Sequence, residues 1–303
     1  MDGPTLMKKG RPMARYAIAL ALLAGWLPAA AGAEEFRQAI PVQPGGTVEV
    51  ELSSGSVEVE THDEHEVAVV AESRGLSGGL MRFELSGDGQ NAKFVGKHAG
   101  WLGMFGSGEL RVYVRVPESY SVDVQTAGGS VEIDELGGRA SVRTSGGSIE
   151  LAEVRGPVEL ETSGGPIRVE EVEGDVMART SGGGIRISEV GGRVEARTSG
   201  GSIELDEVEG PVEARTSGGS ILVRFNDAPA GEVKTSGGSI EVEFSEEAAL
   251  DLEAETSGGR VKIDSEIRVL GVLTRDQVKG EINGGGPALQ LKTSGGNIRI
   301  QVR

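Results

Sequence analysis

Ser202-Ile-Glu-Leu-Asp-Glu-Val-Glu-Gly-Pro-Val-Glu-Ala-Arg-Thr-Ser-Gly-Gly219 is one copy of a unit that fills most of this chain. Apolar and polar residues alternate strictly in its two halves, and this period of two indicates half-buried β-strands. Ile203 and Leu205 face the interior, while Glu204 faces solvent. Two turn signals, Glu-Val-Glu-Gly and Thr-Ser-Gly-Gly, separate the strands, and the Val of the first is predicted to plug a corner of the core.

The Thr-Ser-Gly-Gly turn recurs every 18 residues through the middle of the chain. A variant at Thr126 precedes the series, and further copies at spacings of 19, 21 and 37 residues extend it forwards. We predict structural turns with glycines at positive φ, which glycine adopts without steric cost. The predicted turn residues are Thr144, Gly146, Gly147, Thr162, Gly164, Gly165, Thr180, Gly182, Gly183, Thr198, Gly200, Gly201, Thr216, Gly218 and Gly219.

A fixed period predicts that each unit stacks on a copy of itself. The favoured architecture is an all-β, right-handed single-stranded β-helix (β-solenoid) with 18-residue coils, in which each coil pairs in parallel with the next. An antiparallel meander is the alternative, with Gly-Gly as a hairpin turn. The meander leaves one sheet face uncovered, and the pattern offers no helix to cover it.

The first 33 residues have the pattern of a secretory signal peptide. Four basic residues precede an apolar run, and small residues end it at Ala33. The run is too short to span a membrane. We therefore expect residues 1–33 to be a signal peptide, 34–120 a first coil with an irregular β cap, and 121–303 the regular solenoid. The protein would be exported and be periplasmic, cell-surface or secreted, with no membrane span after cleavage.

The net charge of −17 argues against nucleic acid as a partner. Cationic residues nevertheless form a column before successive turns, with Glu two residues earlier on the same face. Diagonal Glu/Arg pairs would offset stacking of like charges. This face is either a solvated surface or an ion-exchange-like binding face; its cations are Arg179, Arg197, Arg215 and Lys234.

The aromatic-rich loop at residues 100–106 interrupts the cap. Trp101, Met104 and Phe105 are the candidate partner contacts of the chain. The alternative is that this loop folds onto the cap.

Chemical motifs are sparse. His62-Asp63-Glu64-His65 matches no zinc signature and is interpreted as a solvated polar turn. Carboxylates occur in every coil, so no acid–base pair is distinguished. We assign no catalytic, cofactor-binding or metal-binding residue and expect no enzyme activity. A glycan-active β-helix lyase or hydrolase is the alternative, with its site in the irregular segments Asn226–Ala230 or Asp264–Pro287.

A wider pattern combines the Thr-Ser-Gly-Gly-x-Ile units with Pro44-Gly45-Gly46, Val116-Pro117 and the closing Gly280–Gly286 and Thr293–Ile298 segments. In these features the chain resembles the bacterial putative-adhesin family of exported β-strand repeat proteins, a domain of unknown function. The resemblance covers residues 36–303 and implies an envelope or surface interaction without catalytic residues. We therefore expect a non-enzymatic, adhesin-like binding or scaffold protein of the cell envelope, whose partner is an envelope protein or glycan.

Overall fold

A computed structural model describes residues 33–75, 81–98, 108–226, 229–264 and 266–303. Residues 1–32 of the predicted signal peptide and the loop with Trp101, Met104 and Phe105 lie outside these residues. Every helix or strand within the described ranges is a β-strand, which confirms the all-β class. In this part of the chain, no helix is long and apolar enough to cross a lipid bilayer.

The described strands, numbered along the chain, form two long sheets. Across the first sheet they are β1 (Ala33–Pro41), β4 (Glu66–Gly75), β7 (Gly108–Pro117), β3 (Ser56–His62), β9 (Val131–Ile133), β11 (Ile149–Val154), β13 (Ile167–Val172), β15 (Ile185–Val190), β17 (Ile203–Val208), β19 (Ile221–Phe225), β21 (Ile240–Phe244), β27 (Ile298–Val302) and β23 (Val261–Ile263).

Across the second sheet they are β24 (Val269–Leu273), β25 (Gln277–Ile282), β22 (Leu250–Thr256), β26 (Ala288–Thr293), β20 (Gly231–Thr235), β18 (Val212–Thr216), β16 (Val194–Arg197), β14 (Val176–Arg179), β12 (Val158–Thr162), β10 (Ala140–Thr144), β8 (Ser121–Thr126), β2 (Thr47–Leu52), β6 (Ala92–His98) and β5 (Met81–Gly87).

The chain alternates between the sheets, so one strand from each and their two turns make one coil. Corresponding residues of successive coils pair in parallel and in register, as Ile149 does with Ile167 and Val158 with Val176. These parallel ladders exclude the antiparallel meander for the repeated region. The inward columns between the sheets are buried, and the predicted corner plugs Val172, Val190 and Val208 are buried with them.

The turn threonines belong to the core. Thr162 is 3% exposed, and its hydroxyl donates a hydrogen bond to the carbonyl of Gly147 in the preceding coil at 3.0 Å. The backbone N–H of Gly165 in turn donates to the Thr162 hydroxyl at 3.4 Å. One hydroxyl thus satisfies a buried acceptor and a buried donor, which would be costly to leave unpaired. The same hydroxyl-to-carbonyl bond is made by Thr126, Thr144, Thr180, Thr198, Thr216, Thr235, Thr256 and Thr293.

The prediction that these glycines adopt positive φ is wrong. Among the described residues, the glycines at positive φ are Gly45, Gly55, Gly89, Gly231, Gly284 and Gly285, none of them in a Thr-Ser-Gly-Gly turn. The second glycine is required for another reason. A Cβ on Gly165 would lie 2.0 Å from the carbonyl oxygen of Gly147, whereas a Cβ on Gly164 would lie 3.6 Å from its nearest neighbour. Close approach of adjacent coils therefore excludes a side chain at the second position only.

The two glycines of one turn give a matched test. Gly165→Ala must push neighbouring backbones apart, and we expect it to lower the free energy of unfolding by about 1–3 kcal/mol. Gly164→Ala fits the available space and should be neutral, or stabilise by about 0.4–1 kcal/mol by restricting the unfolded chain. Denaturant unfolding of both variants measures the difference; equal losses would contradict the close-approach argument.

Positive φ occurs instead at a glutamate of the other turn. Glu153, Glu171, Glu189 and Glu207 have φ between 51° and 56°. Each is left out of the ladder between neighbours that pair, as Glu171 is between Glu170 and Val172. The left-handed backbone at this position turns the following valine into the core. Because side chains other than Gly, Asn and Asp are strained there, the corner stores energy in each of these four coils.

Replacement of this glutamate should relieve the strain. We expect Glu171→Asn to raise the free energy of unfolding by up to about 1 kcal/mol, since Asn tolerates the left-handed region. Glu170→Asn is the control, because Glu170 is equally exposed but pairs within the ladder. That change should be neutral or destabilising, and denaturant unfolding that ranks the two variants in the opposite order would contradict the assignment.

The coils do not follow chain order at either end of the stack. The last coil, β26 and β27, is inserted between the coil of β20 and β21 and the coil of β22 and β23. The threonine bonds show the same order: Thr293 donates to Gly238, and Thr256 donates to Gly296, each at 2.8 Å. At the other end, β6 and β7 stack outside β2 and β3. The expected simple continuation of the series is therefore wrong at Thr256 and Thr293.

The N-terminal end of the stack is closed. The edge strands β1 and β5 of the two sheets contact each other there. Phe36, Phe83 and Phe94 fill the space between them, with ring centroids 5.7–6.0 Å apart. These aromatic side chains seal a core that is otherwise aliphatic along most of its length.

Candidate binding surface on the stacked turns

The outward face of the second sheet carries a column of cations beside the Thr-Ser-Gly-Gly turns. In-register pairing joins Arg179 to Arg197, Arg197 to Arg215, Arg215 to Lys234, and Lys234 to Lys292. We call these five residues the basic column. Neighbouring strands lie about 4.8 Å apart, so one cation is presented per coil at that spacing.

Lys292 is the member that sequence reasoning missed. It directly precedes Thr293, just as Arg215 precedes Thr216, so the motif held a signal. The spacing of 37 residues placed its coil at the end of the series, and only the insertion of β26 brings it beside Lys234.

A second column of carboxylates lies beneath the cations. Arg197 donates to Glu213 of the next coil at 2.6 Å, and Arg179 and Arg215 bond in the same diagonal way to Glu195 and Glu232. These pairs confirm the predicted Glu/Arg arrangement. The hydrogen bond from Arg197 lowers the pKa of Glu213, and that from Lys234 lowers the pKa of Glu232.

The two columns differ in exposure. Side chains of the basic column are 37–45% exposed, whereas Glu195, Glu213 and Glu232 are only 16–24% exposed. From Arg179 to Lys234 the layer that meets solvent is therefore positive, although the chain as a whole is strongly negative; at Lys292 the paired carboxylate, Glu255, is itself 51% exposed. A groove of about 550 Å³ runs along this edge, and its lining combines four of the cations and Glu255 with the hydroxyls of Ser217, Ser236, Ser257 and Ser294.

The opposite face of the molecule has an acidic column on the first sheet. Glu58, Glu132 and Glu150 pair in register on adjacent strands, and Glu60 and Asp134 lie nearby on the same face. Burial, followed by the neighbouring carboxylates, raises the pKa of Glu58 and of Glu132. Within the described residues, no group of three His, Asp or Glu side chains is arranged to hold a metal ion.

The His62–His65 turn is only partly solvated. Asp63, Glu64 and His65 are exposed, but the side chain of His62 is 6% exposed. One ring nitrogen of His62 lies 2.9 Å from the carbonyl oxygen of Glu66. His62 therefore packs as a hydrogen-bonded part of the turn between β3 and β4.

The shifted carboxylates predict opposite responses to charge removal. The folded-state pKa of Glu132 is raised, so its ionised form opposes folding above that pKa and ceases to do so as the pH falls. Glu132→Gln should therefore stabilise at pH 7 by about 0.2–1 kcal/mol. The folded-state pKa of Glu213 is lowered, so its contribution to stability is present at neutral pH and is lost on acidification. Glu213→Gln should destabilise at pH 7 by about 0.2–1 kcal/mol.

Unfolding measured from pH 8 to pH 3 checks both changes. The two variants should differ from the wild type with opposite sign at pH 7. The Glu132 difference should vanish as the pH falls below about 4, near the unfolded-state pKa, whereas the Glu213 difference should shrink only below that pH, as the lowered folded-state pKa is approached. Differences of the same sign at pH 7 would contradict the electrostatic description.

The chain belongs to the Toastrack family (DUF4097), a domain of unknown function, whose family model matches residues 47–301. This match confirms the predicted membership in a family defined by a domain of unknown function. Among proteins with curated functions, none matches the chain.

Solved structures to which this chain is similar include a putative lipid binding protein from Parabacteroides distasonis ATCC 8503, with 12% identity, a TM-score of 0.47 and coverage of 89% of this chain and 96% of that one. A putative adhesin from Bacteroides fragilis NCTC 9343 has 11% identity and a TM-score of 0.40, covering 89% of this chain and 97% of that one. At these scores, the similarities carry no functional argument.

Proposed function

We propose that this protein is an exported, non-enzymatic, adhesin-like binding or scaffold protein of the cell envelope, and that it contacts an anionic envelope glycan along the basic column. We further propose that residues 1–33 are a signal peptide, that residues 34–120 form the cap, and that residues 121–303 form the regular coils of a right-handed solenoid. The observation that carries it is the solvent-facing positive layer on an acidic protein.

The geometry of the basic column suits an extended polymer better than a small molecule. Each coil presents one cation and one serine hydroxyl at a repeat of about 4.8 Å, so a chain with regularly spaced carboxylates or phosphates would meet several cations at once. Each contact is weak because the cations are already paired with glutamates, and affinity would come from their number. The negative charge elsewhere on the molecule would direct an anionic ligand to this face.

The same repetition argues against a catalytic site. Successive coils carry the same side chains, so no single acid–base pair is set apart from its neighbours among the described residues. The strands β24 and β25 form an antiparallel hairpin. They lie in the segment Asp264–Pro287, one of the two alternative locations for an enzymatic site. Nothing in that hairpin favours a glycan-active enzyme.

Binding to immobilised polygalacturonate tests the proposal, with neutral dextran as the blank. We expect retention of the full-length protein at low salt that declines as salt is raised, because the contacts are ionic. The triple variant Arg197→Gln, Arg215→Gln and Lys234→Gln should lose at least about tenfold in affinity, since three cations contribute about 0.5 kcal/mol or more each.

The control is a triple variant with the same charge change on the first sheet, Arg168→Gln, Arg186→Gln and Arg299→Gln. Each of these arginines is likewise paired with a glutamate, but they lie outside the basic column. Melting of both variants checks that the fold is kept, and Lys292→Gln tests a single cation at the end of the column. Equal loss in both triple variants, or no retention of the wild type, would contradict the proposal.

A further inference from the structure

The C-terminal end of the stack differs from the closed N-terminal end. The first sheet stops at β23, whereas the second sheet continues beyond β22 with the hairpin of β25 and β24. Of the described strands, none pairs with the outer edge of β24. Leu270, Val272 and Leu273 on this strand are 74%, 57% and 55% exposed and are the exposed large apolar side chains of the described residues.

The backbone of β24 has an orientation that can be derived from its hairpin. The N–H of Thr274 donates to the carbonyl of Gln277, so this pair is hydrogen-bonded. Hydrogen-bonded pairs alternate along an antiparallel ladder, which places Leu270 and Val272 in such pairs with β25. The close contact of Gly271 with Gly280 agrees with the narrow, non-bonded pair expected between them. The N–H and C=O groups of Val269, Gly271 and Leu273 therefore point towards the open edge.

The residues Val269-Leu-Gly-Val-Leu273 are self-complementary about Gly271. In an antiparallel pair of two such strands centred on Gly271, the outward-pointing groups of Val269 meet those of Leu273 in the other copy. Leu270 then lies opposite Val272 on one face, and Val269 lies opposite Leu273 on the other. Every cross-strand side-chain pair is aliphatic, and every open backbone group is paired.

Charges at the ends of the strand fit the same register. Arg268 is exposed just before β24, and Asp276 is exposed in the hairpin turn that follows it. In the centred pairing, Arg268 of one copy lies opposite Thr274 of the other, next to the turn that carries Asp276. Two-fold symmetry repeats this arrangement.

We propose that β24 is a self-association surface, at which two copies of this chain pair antiparallel through β24, centred on Gly271, and join their second sheets end to end. Edge strands are normally protected by charge or proline. β1 at the other end carries Glu35, Arg37 and Pro41, but β24 carries no charged residue. The pairing would join the second sheets of both copies, which carry the basic columns, into one sheet. The evidence for it is the geometry of β24 and does not depend on the proposed ligand.

The exposed positions allow a charge test that leaves the monomer folded. Leu270→Lys with Val272→Lys places like charges opposite each other across the two-fold axis and should abolish association. Leu270→Glu with Val272→Glu should do the same. Because each lysine then faces a glutamate, an equimolar mixture of the two variants should form a heterodimer. Sedimentation velocity of the full-length protein up to about 500 µM measures this; the high limit is needed because a short strand pair is a small interface.

Cysteine cross-linking tests the register, since the chain contains no native cysteine. Leu270 and Val272 of opposite copies form a non-hydrogen-bonded pair with Cα atoms about 4.5 Å apart, which suits a disulfide. A mixture of Leu270→Cys and Val272→Cys should form a disulfide-linked dimer. Leu270→Cys alone should not, because its two copies of residue 270 lie diagonally about 8 Å apart.

Ala39→Lys on β1 is the control for association through the other end of the stack. It should leave the dimer unchanged, and a loss of association in that variant would indicate head-to-tail contact instead. A wild type that remains monomeric throughout the concentration range, or a dimer that persists in the Leu270→Lys, Val272→Lys variant, would overturn the proposal. Loss of polygalacturonate binding without loss of the dimer would affect only the proposed function.

Discussion

The contact between a threonine hydroxyl and a glycine carbonyl of the adjacent coil is the interaction on which this structure depends. It requires the threonine to point inward, where its hydroxyl also accepts a bond from its own turn. It also requires the second glycine, because a side chain there would overlap the neighbouring carbonyl. These requirements explain why the threonine and the second glycine recur in each Thr-Ser-Gly-Gly turn, while the serine and the first glycine between them remain exposed. The close stacking of coils follows from this one contact.

Stacking in register has an electrostatic consequence on the outside. Every outward residue lies beside its counterpart in the next coil, so a repeated charge becomes a column of like charges. The second sheet resolves this with a carboxylate column beneath the basic column, and the pKa values of Glu213 and Glu232 are lowered as a result. At Glu58 and Glu132 of the first sheet, burial and adjacent carboxylates raise the pKa instead. Charge compensation thus differs between the first sheet in the N-terminal coils and the second sheet in the central coils.

At each end of the stack, the outermost coil has no further coil to pair with on one side. At the N-terminal end, β1, β5 and three phenylalanines close the core. At the C-terminal end the second sheet runs past the first, which leaves an aliphatic edge strand exposed. A solenoid with one closed and one open end has a direction, and association at the open end would produce pairs rather than long fibres because two-fold pairing uses up the edge.

The sequence by itself determined the coil. Alternation placed each side chain inside or outside, the column of cations could be read from Arg179 to Lys234, and the turns were located at Thr-Ser-Gly-Gly. The sequence did not reveal which glycine of the turn is constrained. A glycine needed for positive φ and a glycine needed for close approach between coils cannot be told apart in a sequence. Only the tertiary structure decided the order of the coils and added Lys292 to the basic column. The physical reason is that every coil presents the same threonine and glycine to its neighbours, so the repeat specifies that coils stack but not which coil stacks on which.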